Sequence, residues 1–202
     1  MMIKFNAKKL AAVSIAIYSG EARHYLRGVY FEGNRAVATD GHILTIAQDE
    51  TSIVEAPGIY PITPKARTAM KNTKADTVQI AHDVLTVYDG HQNALYMEPC
   101  PKIDETYPNY RKVVPSIGDT QASYAAVSPI VMKDIADTAL ILCSKHNKAA
   151  PFALSGASES DVHVVRYHNT PGVFSVVMPC PRDGVPKDVP AWFSKDAKDN
   201  KQ

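Results

Sequence analysis

Residues 24–44 run HYLRGVYFEGNRAVATDGHIL, and the fold class follows from how this stretch alternates. From Tyr25 to Glu32, the residues Leu26, Gly28, Tyr30 and Glu32 share one face, the period of two that marks a half-buried strand. A second strand is expected from Arg35 to Ala47. Within it, Thr39-Asp40-Gly41-His42 contains an Asp-Gly pair, which supplies the positive φ angles that a sharp reversal needs. A second such group, Asp89-Gly90-His91, falls between two other predicted strands. Turn chemistry therefore accounts for both, and Asp40 with His42 is read as a rigid turn beside a groove rather than a catalytic pair.

Outward from this stretch the same sequence of elements recurs. Lys4-Phe5 leads into Asn6 and a helix from Ala7 to about Ile17. Ile59–Ile62 leads into Thr63-Pro64 and a helix to about Asn72, and Tyr124–Val127 leads into Ser128-Pro129 and a helix to about Thr138. A hydroxyl or amide side chain caps an orphan N–H, and proline at the first helical position loses no hydrogen bond. Strands follow each helix: Thr77–Ala81, Val84–Tyr88 and Asn93–Glu98 in the second unit, and Phe152–Ser155, Asp161–His168 and Val173–Met178 in the third. The pattern predicts an α+β protein of about three βαβββ units, with antiparallel sheets carrying helices on one face.

The 202 residues, 45% of them hydrophobic, suffice for a real core and exclude wholesale disorder. No apolar run approaches the roughly 20 residues needed to cross a bilayer, so no membrane partner is expected. Lys4, Lys8 and Lys9 before the apolar stretch Leu10–Ile17 imitate a weak signal peptide, but Ser14 and the missing cleavage pattern favour an amphipathic first helix. Cys100, Cys143 and Cys180 are odd in number and widely spaced, which fits reduced thiols and a cytoplasmic location.

The histidines do not assemble into chemistry. His163 and His168 lie five apart on a strand and point to opposite faces, His82 and His91 sit at hairpin ends, and His24 and His146 stand alone. Cys143 is close to His146, but no acidic partner orients them. With no nucleophile elbow, phosphate loop or zinc-protease motif, neither an enzymatic activity nor a cofactor or metal is expected. Charge is more informative. The net of +1 gives no global attraction to nucleic acid, yet Lys8 and Lys9 on the first helix and Lys65, Arg67 and Lys71 on the second have no acidic neighbour on those helices. Such cations could contact DNA phosphates without regard to sequence. The third helix has Lys133 but also Asp134 and Asp137.

HYLRGVYFEGNRAVATDGHIL resembles the central domain of the bacterial sliding clamp family, the β subunit of DNA polymerase III, where a strand of the type YYLNGxxFE precedes one ending in TDGHRL. Three further stretches agree in order: Ile59–Met70 with the family's strand and second helix, YPNYRKVVP (Tyr107–Pro115) with its FPDYRRVLP linker, and SVVMPC (Ser175–Cys180) with its YVVMPM terminal strand. The resemblance implies a non-enzymatic protein whose helices line a pore around double-stranded DNA. It also implies a hydrophobic cleft for short peptides of DNA polymerase and other replication proteins. Carried onto this sequence, that cleft comprises Leu26, Thr39, Gly41, His42, Leu44, Pro108, Val113, Val176, Met178 and Pro179.

The departures lie at Ile43 and Lys112, where the family has arginine, and at Cys180, where it has methionine. The family's chain has three domains of two units each. Here the expectation is one complete domain (1–115, closing on the proline-rich linker Pro99–Pro115), half a domain (116–181) and a tail (182–202) carrying Trp192-Phe193. Clamp rings contain twelve units, so four such chains would close one. The implied function is that of a shortened, phage-type clamp acting as a homo-oligomeric processivity factor in DNA replication. The alternative is a monomeric clamp-fold decoy that binds such peptides, or modulates a host replisome, without encircling DNA.

Overall fold

The computed structural model describes residues 2–115, 126–143, 151–156, 161–170 and 172–180. Tyr124 and Ala125 of the strand expected at Tyr124–Val127, His146 and the tail with Trp192-Phe193 lie outside the described residues. Three helices start where the caps predict. Asn6 Oδ1 accepts from the Lys9 amide (3.1 Å), Thr63 Oγ1 from Ala66 (3.1 Å) and Ser128 Oγ from Val131 (3.2 Å). Each cap contributes about 1 kcal/mol. Helix α1 spans Ala7–Val13 and runs on into a 3₁₀ turn at Ser14–Ala16; α2 spans Pro64–Met70 and α3 Pro129–Leu142. The third helix extends past Thr138 because Ala139, Leu140 and Leu142 are strong helix formers and Ala139 is buried.

Twelve strands form two antiparallel sheets among the described residues. They are β1 (Met2–Asn6), β2 (Val29–Glu32), β3 (Arg35–Thr39), β4 (Ile43–Gln48), β5 (Ile53–Val54), β6 (Gly58–Tyr60), β7 (Ala75–Ala81), β8 (Val84–Asp89), β9 (Ala94–Pro99), β10 (Phe152–Ser155), β11 (His163–Tyr167) and β12 (Val173–Val177). One sheet has the order β5-β1-β7-β8-β9, the other β10-β11-β12-β4-β3-β2-β6. The first strand of each early unit crosses to the other's sheet: Ile3 faces Ile80, and Ile59 faces Tyr30. The third unit joins the larger sheet along β4, with Val176 opposite Leu44 and Ser175 opposite Thr45.

Two predicted strands are altered. The one expected from Tyr25 begins only at Val29, because His24–Leu26 winds into a 3₁₀ turn that buries Leu26. The one expected over Arg35–Ala47 is broken at Asp40–His42 into β3 and β4. The two-residue strand β5, too short for a periodic signal, completes one sheet edge. Gly28 sits where β6 passes closely: a Cβ there would lie 2.6 Å from the Tyr60 carbonyl oxygen. Gly28→Ala is expected to push β6 off β2 and cost about 2 kcal/mol, lowering the thermal midpoint by roughly 5 °C. Calorimetry checks it.

Strand β4 is apolar on both faces. Ile43 and Ala47 turn inward to the helices, packing with Leu10, Val13 and Ile135 in the main core. Leu44 and Ile46 turn outward and pack with Leu26, Val37, Ile59, Tyr107, Tyr110 and Val176 in a second cluster. Continuous apolar strands of this kind are those covered on both sides. Here the second cover is the linker. At the junction with the third unit, Ser175 Oγ shares hydrogen bonds with Thr45 Oγ1 and with Tyr167 Oη, each 2.8 Å long. All three side chains are buried, and burial pushes the Tyr167 phenol up to about 12.

Candidate peptide groove and basic helical face

The turn between β3 and β4 is built by its own side chains. Asp40 Oδ1 accepts from the amides of His42 (2.8 Å) and Ile43 (3.0 Å), Thr39 Oγ1 accepts from the Gly41 amide (3.1 Å), and the same hydroxyl donates to the Ile43 carbonyl (2.8 Å). Gly41 has φ +98°, and a Cβ there would lie 2.6 Å from an Arg23 guanidinium nitrogen. The backbone angle favours glycine here, while the Arg23 side chain, met only at its flexible end, could move aside. Asp40 thus serves the backbone of the turn. The Met178 amide donates to the His42 carbonyl (3.0 Å), so the end of β12 is tied to the same turn.

The linker reaches this turn across the outer face of the larger sheet. Ile103 bridges to Ile59, with its amide 2.8 Å from the Ile59 carbonyl. Tyr107 then stacks on Tyr30, with ring centroids 4.8 Å apart and planes 5° from parallel. Next, the Tyr110 hydroxyl and the Arg111 guanidinium both donate to the Glu32 carboxylate. Burial acts to raise the Glu32 carboxyl, but the donors Tyr110 and Arg111 outweigh it and hold the group below its ordinary range. A depressed carboxyl stabilises the fold above its unfolded value near 4.5, and that contribution is lost as pH falls through the depressed value. The thermal midpoint of Glu32→Gln is therefore expected to fall below wild type at pH 7 and to lie closer to it at pH 3. Thermal scans at the two pH values check this, and a constant gap would exclude the carboxylate as its source.

Turn, linker and terminal strand enclose a groove of about 340 Å³. Leu26 and Leu44 come from the first unit, Pro108 and Val113 from the linker, and Val176 and Met178 from the third unit, with Thr39, Gly41 and His42 at the turn. Nine of the ten residues expected in the cleft line this groove; Pro179 does not. Arg23, Tyr25, Ile43, Asn109 and Tyr110 also line it and were not foreseen. Tyr110 lies in the linker stretch that the sequence singles out. Arg23 lies one residue before the quoted segment and carries no local signal. Met178 is 47% exposed and Val113 46% exposed, so the apolar mouth faces solvent.

The five cations expected on the helical face divide. Lys8, Lys65 and Lys71 are exposed. Lys9 is half-buried: its ammonium donates to the Gln48 carbonyl (2.8 Å) and lies 3.9 Å from the buried carboxylate of Asp49. Asp49 Oδ2 also accepts from the Asn6 amide (2.9 Å). Arg67 is half-buried too. Burial lowers its affinity for a proton, and the carboxylates of Asp134 and Asp137 on α3 oppose that. Two of the five charges are therefore partly withdrawn from solvent, and Lys9 is paired within the molecule. Among the described residues there is no cluster of three or more His, Cys, Asp or Glu side chains that could hold a metal, and no helix is long and apolar enough to cross a membrane.

No family model and no curated protein matches this sequence. Solved structures do. The DnaN sliding clamp (DNA polymerase III subunit beta) of Bartonella birtlesii bound to griselimycin superposes with a TM-score of 0.58 at 17% identity over 89% of this chain. The DNA polymerase III subunit beta of Borrelia burgdorferi, in complex with a natural product, gives 0.57 at 13% identity over 89% of this chain. The DNA polymerase III beta subunit of Thermotoga maritima gives 0.55 at 14% identity, again over 89%. This chain spans 66%, 64% and 65% of those three chains, respectively. The fold is that of a sliding clamp.

Proposed function

We propose that this chain is a sliding-clamp-like accessory protein of DNA replication, shortened and of phage type. In this reading copies of the chain assemble in the cytoplasm into a ring around double-stranded DNA, and the groove receives short peptides of a polymerase or another replication protein. The observation that supports it most is the groove itself. Side chains from a turn, a linker and a distant terminal strand converge there on an apolar, solvent-open site, and such sites bind ligands. On and beside α1 and α2, the exposed Lys8, Lys65 and Lys71 offer phosphate-directed charge that is indifferent to sequence. Nothing in the proposal calls for catalysis.

Light scattering on a sizing column gives the first test. A mass of four chains, followed by retention on circular but not linearised DNA, is the expected result. A single-chain mass at all concentrations overturns the ring. The engagement of Lys9 with Asp49 and of Arg67 with α3 weakens the cationic face and favours a second reading, a monomeric decoy that keeps the groove alone. A labelled peptide from a replicative polymerase binds under both readings, so the solution mass and the DNA arm separate them.

A further inference from the structure

The chain leaves the larger sheet at Val177, and the next residue, Met178, already lines the groove. Two residues later the Cys180 amide donates to the Ala126 carbonyl (2.7 Å), which fixes the point of departure. Everything beyond Cys180 therefore starts two residues past a side chain that lines an open apolar groove. That remainder, residues 181–202, lies outside the described residues, and its composition is distinctive. Nine of its 22 residues are charged, yet they enclose Val189-Pro190-Ala191-Trp192-Phe193, which contains the only tryptophan of the chain. An adjacent Trp and Phe present more apolar surface than any other pair in that segment, and such side chains anchor peptides in apolar pockets.

We infer that Trp192-Phe193 docks in the groove of its own chain and competes there with incoming peptides. The inference rests on the reading of the groove as a peptide site and names its resident occupant. Eleven residues lie between Cys180 and Trp192. A segment of that length can reach up to about 36 Å, enough to turn back on a site that begins two residues before the anchor. Tethering sets a local concentration on the order of 1 mM, so even an intrinsic affinity as weak as about 100 µM fills the groove nine-tenths of the time. A competing peptide then binds about tenfold more weakly than it would to an empty groove. Only partners that exceed this threshold gain access.

The single tryptophan supplies the readout. In the full chain its emission is expected to be blue-shifted and shielded from acrylamide, to move to the red in Met178→Glu, and to stay constant over a hundredfold dilution. A fluorescein-labelled peptide of residues 186–198 is expected to bind the full-length W192A/F193A variant, to bind wild type about tenfold more weakly, and to lose binding when Met178→Glu is added to that variant. Val113→Glu, at another half-exposed position, provides a second groove variant in case Met178→Glu perturbs the fold. Emission equal in wild type and both groove variants overturns the inference, as does absence of peptide binding to W192A/F193A. A blue shift that fades on dilution also overturns it, assigning the tail to the groove of a neighbouring copy. If a polymerase peptide binds W192A/F193A while the tail peptide does not, the groove reading stands and the inference alone fails.

Discussion

Met178→Glu is expected to weaken binding of a labelled polymerase peptide by at least about 100-fold, since a carboxylate without a partner in an apolar contact costs several kcal/mol. The same substitution should move the thermal midpoint by no more than about 2 °C, because a half-exposed side chain loses little on replacement. Exposure separates this position from Leu44, an apolar groove residue on β4. Leu44 is 4% exposed and packs in the outer cluster, so a charge there would damage the fold as well as the groove. The comparison therefore carries its own control. For Met178→Glu, fluorescence anisotropy must show binding lost while calorimetry shows stability kept, and unaltered binding would remove the groove as the peptide site.

Reversing Lys8, Lys65 and Lys71 to glutamate together is expected to produce the second large effect. If each lysine meets one phosphate, their loss lowers the slope of log affinity against log salt by about 2.7, and the reversed charges repel the backbone further. Arg67 and Lys9 are left intact because both are half-buried and Lys9 pairs with the buried Asp49, so reversing either would test stability instead of contact. Titrations of a duplex at several salt concentrations decide the matter. An unchanged slope would return these three lysines to the solvent and leave the monomeric reading in front.

Local chemistry was the legible part of this sequence. Asn6, Thr63-Pro64 and Ser128-Pro129 announce helices through groups within three residues, and all three caps are made as expected. The Asp40-Gly41 turn is likewise a matter of neighbouring atoms. The groove residues were legible by a different route, the resemblance of four ordered stretches to one family. What escaped was whatever depends on distant partners. Lys9 looks like a free cation until Asp49 folds against it, and Arg67 until α3 brings Asp134 and Asp137 alongside. The early strand at Tyr25 fails for the same reason. Its alternation is real, but the close passage of Tyr60 at Gly28 and the burial of Leu26 impose another backbone path. Pro179 continues the matched stretch Ser175–Cys180, yet the chain is already departing toward Ala126 there and the ring does not reach the groove.

The pairing of β12 with β4 also governs when the molecule becomes competent. The hydroxyls of Thr45 and Ser175 that meet across this junction belong to residues 130 positions apart. Contacts over such separations form slowly, because most of the intervening chain must be ordered before they repay the loss of entropy. Helices and hairpins of the first units can form as soon as they are synthesised, whereas one wall of the groove, Val176 and Met178, arrives only with the last strand. A partly made chain therefore offers no complete binding site. Readiness to engage a partner coincides with the end of folding, and a bound peptide in a refolding experiment would time the final docking of β12.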